Sequence, residues 1–225
     1  SSTPLTIGFN DDSDDDGPFY NSPLEKVVLN RELNYTFSSP SSAAEGLFGN
    51  KTNLTSVTLG DYVKTISPYM FANAAITELD LNNVTTVGNY AFYHNSAIET
   101  VNLRQVTSIG NGAFQNCTGI KNLTLSENLT VISEGAFKGC NAMETVTIPT
   151  GVCEIAANAF SGCGKLSKVT FLGDAPAINA SAFAGVKADC YYPEGNVTYT
   201  DAIKASEYGG DLVWTYEGEI IGDDF

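Results

Sequence analysis

The chain has 225 residues, 43% apolar and 16% charged, which is enough apolar material for a buried core in one or two domains and excludes a wholly disordered chain. Eleven basic against 26 acidic residues leave a formal charge of −15, which argues against a nucleic-acid-binding face and against docking on anionic lipid. No apolar run is long enough to span a membrane, and the chain opens at Ser1 with neither Met nor a signal-peptide apolar stretch, so it reads as a processed or trimmed product.

In chain order, residues 1–18 read as an acidic, flexible tail. Asp11, Asp12, Asp14, Asp15 and Asp16 cluster there. The run Asp12–Gly17 imitates the first half of an EF-hand loop, but the Glu that such a loop needs six residues after its Gly is replaced by Pro23. A solvated tail is the plainer reading. Leu24, Val27 and Leu29 then show strand spacing five residues after Phe19, as a degenerate first repeat. Ser38–Ser42, with Pro40 at its centre, falls after it as a loop insertion.

From there the chain repeats itself. Phe stands at 48, 71, 92, 114, 137, 160 and 183. Ile66, Val87, Ile109, Ile132, Ile155 and Ile178 lie five residues before the last six of these, and Ala91, Ala113, Ala136, Ala159 and Ala182 directly before the last five. After each Phe from 48 to 160 comes an L-x-x-V-x-L pattern, as in Ile98/Val101/Leu103 and Leu166/Val169/Phe171. Its last two apolar positions have the period of a strand with one buried face. The Gly-x-x-Ala-Phe-x-x-Cys segment reads as a short helical or 3₁₀ turn. One such unit cannot bury its own apolar face, whereas stacked units bury a continuous spine. With strands ~4.8 Å apart, eight repeats would make a body on the order of 35–40 Å long.

Towards the C-terminus, Lys187–Pro193 reads as an altered last strand with Cys190 and Tyr192 inward. Residues 199–208 read as a short helix stopped by Gly209-Gly210, and Leu212–Tyr216 as a closing strand. The organisation expected is thus a tail over 1–18, a repeat array over 19–193, and a cap and tail over 194–225. A cap is expected because an open solenoid end exposes core and an unpaired strand edge.

The consensus I-g-x-x-A-F-x-x-C-x-x-L-x-x-V-x-I-p resembles the BspA-type leucine-rich repeats of bacterial surface proteins, most closely over Thr130–Pro149. The Cys column is a departure: it is filled only at 117, 140 and 163, with Ala74 and Asn95 earlier. The resemblance implies a right-handed leucine-rich repeat solenoid of the α/β-horseshoe type, with a parallel β-sheet on one face and short helical or 3₁₀ turns on the other. It also implies a secreted or cell-surface protein that acts in adhesion or host contact, with a host surface or matrix protein as partner. No cofactor and no catalysis are implied. The alternatives are a passive spacer displaying another domain and a glycan-binding domain.

The chemistry-bearing residues agree with a non-enzyme. Cys117, Cys140 and Cys163 share one column and read as stacked buried thiols, with a disulfide between stacked repeats as the alternative and no C-x₂-C pairing for zinc. Cys153 and Cys190 have no evident partner. His94, the only histidine, reads as an exposed residue on the outside of its turn. No G-x-S-x-G elbow and no Walker A loop occurs. No catalytic, cofactor or metal residue is therefore assigned. Nine Asn-x-Ser/Thr triplets follow from composition and carry no assignment.

The residues between the inward ones form columns on the outer face of the strands. One reads Ser56, Glu78, Thr100, Asn122, Thr145, Lys168. The next reads Thr58, Asp80, Asn102, Thr124, Thr147, Thr170, and the third Gly60, Asn82, Arg104, Ser126, Pro149, Leu172. The binding residues expected are Thr100, Asn102, Arg104, Asn122, Thr124, Thr145 and Thr147, with Arg104 as anchor for a protein partner. These columns hold no aromatic platform of the kind a carbohydrate site offers.

Overall fold

The computed structural model describes residues 5–7, 19, 23–35 and 46–217. The acidic run at 11–16 and the loop insertion at 38–42 lie outside the described residues. The strands in chain order are β1 (Leu5–Ile7), β2 (Lys26–Leu29), β3 (Leu33–Tyr35), β4 (Ser56–Leu59), β5 (Thr65–Ile66), β6 (Glu78–Leu79), β7 (Thr86–Val87), β8 (Thr100–Asn102) and β9 (Ser108–Ile109). They continue as β10 (Asn122–Thr124), β11 (Val131–Ile132), β12 (Thr145–Ile148), β13 (Glu154–Ile155), β14 (Lys168–Phe171), β15 (Ala177–Ile178) and β16 (Lys187–Pro193). A single helical turn α1 (Asp201–Lys204) and β17 (Asp211–Glu217) close the chain.

Among the described residues every pairing is parallel, and from β2 to β16 each joins successive repeats, so the molecule is a β-solenoid. One face carries the ladders β2-β4-β6, β8-β10 and β12-β14-β16-β17. A second face, which the sequence reading did not resolve as strand, carries β5-β7-β9 and β11-β13-β15. Its inward residues Ile66, Val87, Ile109, Ile132 and Ile155 are buried; they are the apolar column five residues before each Phe. Within the segment expected as an acidic tail, β1 pairs with β3.

The Phe-bearing segments form the third side, and they are turns rather than helical or 3₁₀ segments. The reason is backbone geometry. Residue 69, 90, 112, 135 or 158, two before the Phe, takes a positive φ, and so does residue 50, 73, 94, 116, 139, 162 or 185, two after it. Left-handed residues at this spacing interrupt the run of right-handed conformations that a helix needs. The turns are tied across repeats instead: Phe92 N–H donates to the Ala113 carbonyl, Phe114 to Ala136 and Phe137 to Ala159 at 2.8–2.9 Å.

Eight phenylalanine rings, from Phe19 to Phe183, stack through the interior with centroids 5.2–5.7 Å apart and interplanar angles of 6–17°. Repeat stacking sets this spacing, and offset ring pairs of this kind are favourable beyond the area they bury. The first repeat joins the column through Phe19, as expected. The closing strand β17 pairs with β16 over seven positions, from Lys187↔Asp211 to Pro193↔Glu217. The helix expected over 199–208 is cut to one turn. Thr200 caps its start by accepting from Ile203 N–H, and the positive φ of Tyr208 and Gly209 ends the segment.

Candidate functional site

The strand face positions the expected binding residues by register. Asn122 lies opposite Thr100 and Thr124 opposite Asn102 in the β8-β10 ladder, and Asn122 Nδ2 donates to Thr100 Oγ1 at 3.4 Å. Thr145 and Thr147 sit on β12, which is laddered to β14, with Thr147↔Thr170, and not to β10. The seven residues therefore fall into two groups on one face. Thr100, Arg104, Asn122, Thr124, Thr145 and Thr147 are exposed and Asn102 is half-buried. Asn102 Oδ1 accepts from Arg104 N–H at 3.2 Å, which turns the chain just beyond β8 and leaves the Arg104 side chain outward. In the third column Ser126 is not on the outer face: it is 1% exposed, and its Oγ accepts from Asn128 N–H where the chain bends away from the strand.

Where the ladder stops between β6 and β8, a depression of about 530 Å³ opens on this face. Glu78, Asp80 and Glu99 line it together with Thr100, Asn102 and the half-buried Leu59 and Leu79. Lys121 pairs with Glu99 at 2.8 Å with both side chains exposed, a contact of small energetic weight.

The face also carries an aromatic that the columns did not include. β16 pairs with β14 so that Tyr191 lies opposite Thr170, and Lys168 Nζ stands 4.6 Å from the centre of its ring. The columns drawn from the repeats stop at residue 172, because β16 does not follow the repeat consensus. Beyond it, a cleft of about 420 Å³ is lined by Tyr192, Tyr199 and Tyr216 with Glu194, Asn196 and Lys204. Its polar walls are engaged internally: Asn196 Nδ2 donates to the Gly173 carbonyl and to Asp174, and Lys204 pairs with Asp201 at 3.2 Å.

Cys117, Cys140 and Cys163 are fully buried, and their thiols donate to the carbonyls of Phe92, Phe114 and Phe137, respectively. Cys190 is buried, Cys153 is exposed, and all five are free thiols. Asn95 holds the same column one repeat earlier and was not singled out from the sequence. Its buried amide donates to the Phe71 carbonyl at 2.7 Å and to that of Phe92 at 3.0 Å, and its Oδ1 accepts from Ile76 N–H. The clue available was an Asn standing where later repeats have Cys. Asn95→Ala should strand the Phe71 carbonyl and the Ile76 N–H at ~1–3 kcal/mol each. Asn95→Cys, which restores the thiol-to-carbonyl bond of the later repeats, should cost less. Urea unfolding of the two variants compares them directly, and equal loss in both would contradict the shared role.

His94 is exposed with φ 59°, and its Nε2 lies 2.8 Å from Asn116 Nδ2. Among the described residues no group of three His, Cys, Asp or Glu side chains could hold a metal ion, and no helix is long and apolar enough to cross a membrane.

The chain matches the BspA type leucine rich repeat region, in six copies, over residues 15–141 and 85–201. Similar solved structures include a leucine rich cell surface protein from Faecalibacterium prausnitzii, at 18% identity and TM-score 0.42 over 89% of this chain. A leucine-rich repeat protein from Bacteroides ovatus aligns at 16% identity and TM-score 0.49 over 94% of this chain. The pneumococcal vaccine antigen PcpA aligns at 14% and 0.47 over 85%. The alignments cover 62%, 64% and 68% of those chains, respectively. A search of the curated proteins finds no match, and none of these comparisons indicates an enzyme family. The matched segments take in most of the chain, including every repeat of the phenylalanine column, and the protein belongs to the BspA-type leucine-rich repeat family.

Proposed function

We propose that the protein is a non-catalytic binding module, secreted or held at the bacterial surface, that engages a protein partner through its strand face. The observation that carries this reading is the register of the outward columns: Thr100, Asn122, Asn102 and Thr124 face one another across β8 and β10 while the alternate residues are buried or half-buried. An extended, regularly spaced polar sheet is the surface that solenoids offer to macromolecules. Arg104 supplies a forked donor at its edge. Glu78, Asp80 and Glu99 in the adjoining depression suit a partner that presents Lys or Arg. The only histidine meets an amide rather than a serine hydroxyl, which supports the non-catalytic reading.

The test begins with capture of a partner from extracellular-matrix and mucus proteins, followed by affinity measurement. The triple variant Asn102→Glu, Arg104→Glu, Thr124→Glu should weaken binding on the order of a hundredfold without shifting the thermal midpoint by more than a few degrees. Unchanged affinity would remove the strand face from consideration.

A further inference from the structure

The strand face is interrupted where the depression lies. β4 pairs with β6 and β8 with β10, but no ladder joins β6 to β8. Just before these strands one carbonyl serves the next repeat. The Thr55 carbonyl accepts from Thr77 N–H at 2.9 Å, and that of Glu99 from Lys121 and Asn122 at 2.9 and 3.1 Å. The Thr77 carbonyl holds the same position in the repeat between them, and among the described residues no backbone N–H donates to it. The turn side stays closed at this junction. Tyr69 N–H donates to the Asn89 carbonyl and Phe71 N–H to that of Ala91, both at 2.9 Å, and the Phe71 and Phe92 rings stack at 5.6 Å. The two repeats are thus tied at the back and part at the front, and the depression is the slot between them.

Its floor is apolar and its walls are acidic. Leu59 and Leu79 are half-buried there, whereas Val57 and Leu81 beside them are buried. Glu78 and Asp80 are exposed on the β6 side and Glu99 on the β8 side. Lys121 occupies Oε1 of Glu99, and Asp80 Oδ1 accepts from Asn82 N–H at 2.8 Å. Glu78 forms no ion pair among the described residues.

We propose that this slot takes an arginine side chain of the protein partner, an inference that rests on the strand-face reading above. The guanidinium enters between β6 and β8 and donates to the Thr77 carbonyl and to the carboxylates of Glu78 and Asp80, with its methylenes on Leu59 and Leu79. Three features select arginine. Its planar fork of five N–H donors serves a carbonyl and carboxylates together, whereas a lysine ammonium is a compact, strongly hydrated point charge. Its stem covers apolar surface while its head stays polar. The chain's charge of −15 attracts a cationic segment and repels an acidic one.

The probes are the end-blocked peptide Gly-Thr-Arg-Thr-Gly and its counterparts with lysine or citrulline in place of arginine. Each is titrated into the full chain, with backbone amide shifts followed by NMR. The arginine peptide should shift the amides of Leu79 and Thr100 and bind about tenfold more tightly than the lysine peptide. The uncharged citrulline peptide should not bind. Glu78→Gln with Asp80→Asn should weaken arginine-peptide binding about tenfold or more. Glu134→Gln with Glu194→Gln removes the same charge elsewhere and should leave it unchanged. All four side chains are exposed, so both variants should fold. No binding of the arginine peptide at millimolar concentration, equal affinity for the lysine peptide, or equal weakening by the two double variants overturns the proposal. The probes need neither Arg104 nor the captured partner. The slot can therefore fail this test while the strand-face reading stands, and failure of that reading shows separately, in partner affinity.

Discussion

Phe137→Ala is expected to destabilise the protein by ~3–5 kcal/mol and to lower its thermal midpoint on the order of 10 °C. Phe137 is fully buried and stacks between Phe114 and Phe160, at 5.7 Å to each. Truncation removes a ring's worth of apolar burial and leaves a cavity that the neighbouring repeats cannot easily close. Their spacing is held by backbone bonds such as Phe137 N–H to the Ala159 carbonyl. In a solenoid each repeat is stabilised by its neighbours, so a mid-array defect also weakens the coupling between the two halves. Phe19→Ala makes the useful comparison. Phe19 is half-buried and, among the described residues, stacks on Phe48 alone, so its loss should cost markedly less. Equal midpoints for the unmodified protein and Phe137→Ala would mean that the ring column is not the spine.

Alkali should unfold the protein through its buried thiols. Burial pushes Cys117, Cys163 and Cys190 up from 9.0 to about 12. Cys140 is also raised well above 9.0, first by burial and then by the nearby Cys117 and Cys163. In the unfolded chain these groups return to the ordinary thiol range. Between about pH 9 and 12 the unfolded state therefore releases protons that the folded state retains. The stability these thiols contribute is fully present below pH 9 and is lost as the pH climbs towards 12, at about 1 kcal/mol per group for each pH unit. Four groups acting together should bring unfolding within that window. Burial also raises the Tyr199 hydroxyl above its ordinary value, which acts in the same direction at the upper end. Circular dichroism across pH 8–12 measures the transition, and a Cys117→Ala, Cys140→Ala, Cys163→Ala variant should flatten it. A profile of the same steepness in that variant would assign the alkaline loss to other groups. At pH 8 a thiol reagent should label Cys153 quickly and the other four only on unfolding, because Cys153 alone is exposed.

The parts of the fold that could be read in advance are those in which one residue type recurs at one phase. Phe, the preceding Ala and the paired strand positions each make the same contact in every repeat, so their spacing encodes their burial. Elements that depart from the consensus gave less away. Ile66, Val87 and Ile109 were visible as an apolar column, but two-residue strands are too short to show an alternation of their own. Asn95 breaks the Cys column in chemistry while keeping its hydrogen bond. Tyr191 lies on the outer face only because β16 takes its register from β14. Of the expected binding residues, alternation along the strands sufficed to place Thr100, Asn122, Thr124, Thr145 and Thr147 outward. The division of that face between β8-β10 and β12-β14 was not encoded in any single repeat.

By itself, the sequence determined the repeat length, the inward columns and the order of the stacked units, because each of these follows from a period along the chain and from the need of one unit to bury its face on the next. Only the tertiary structure decided what lies beside what across repeats. Tyr69, Tyr90 and Tyr93 form one aromatic cluster, and Asn73 reaches Asn50 over 23 residues, because left-handed turns and parallel stacking bring side chains into contact that are remote in the chain. No local pattern fixes these contacts: they are set where backbone bonds between repeats hold the turns at one height and the glycine at 112 leaves space for the Tyr90 ring.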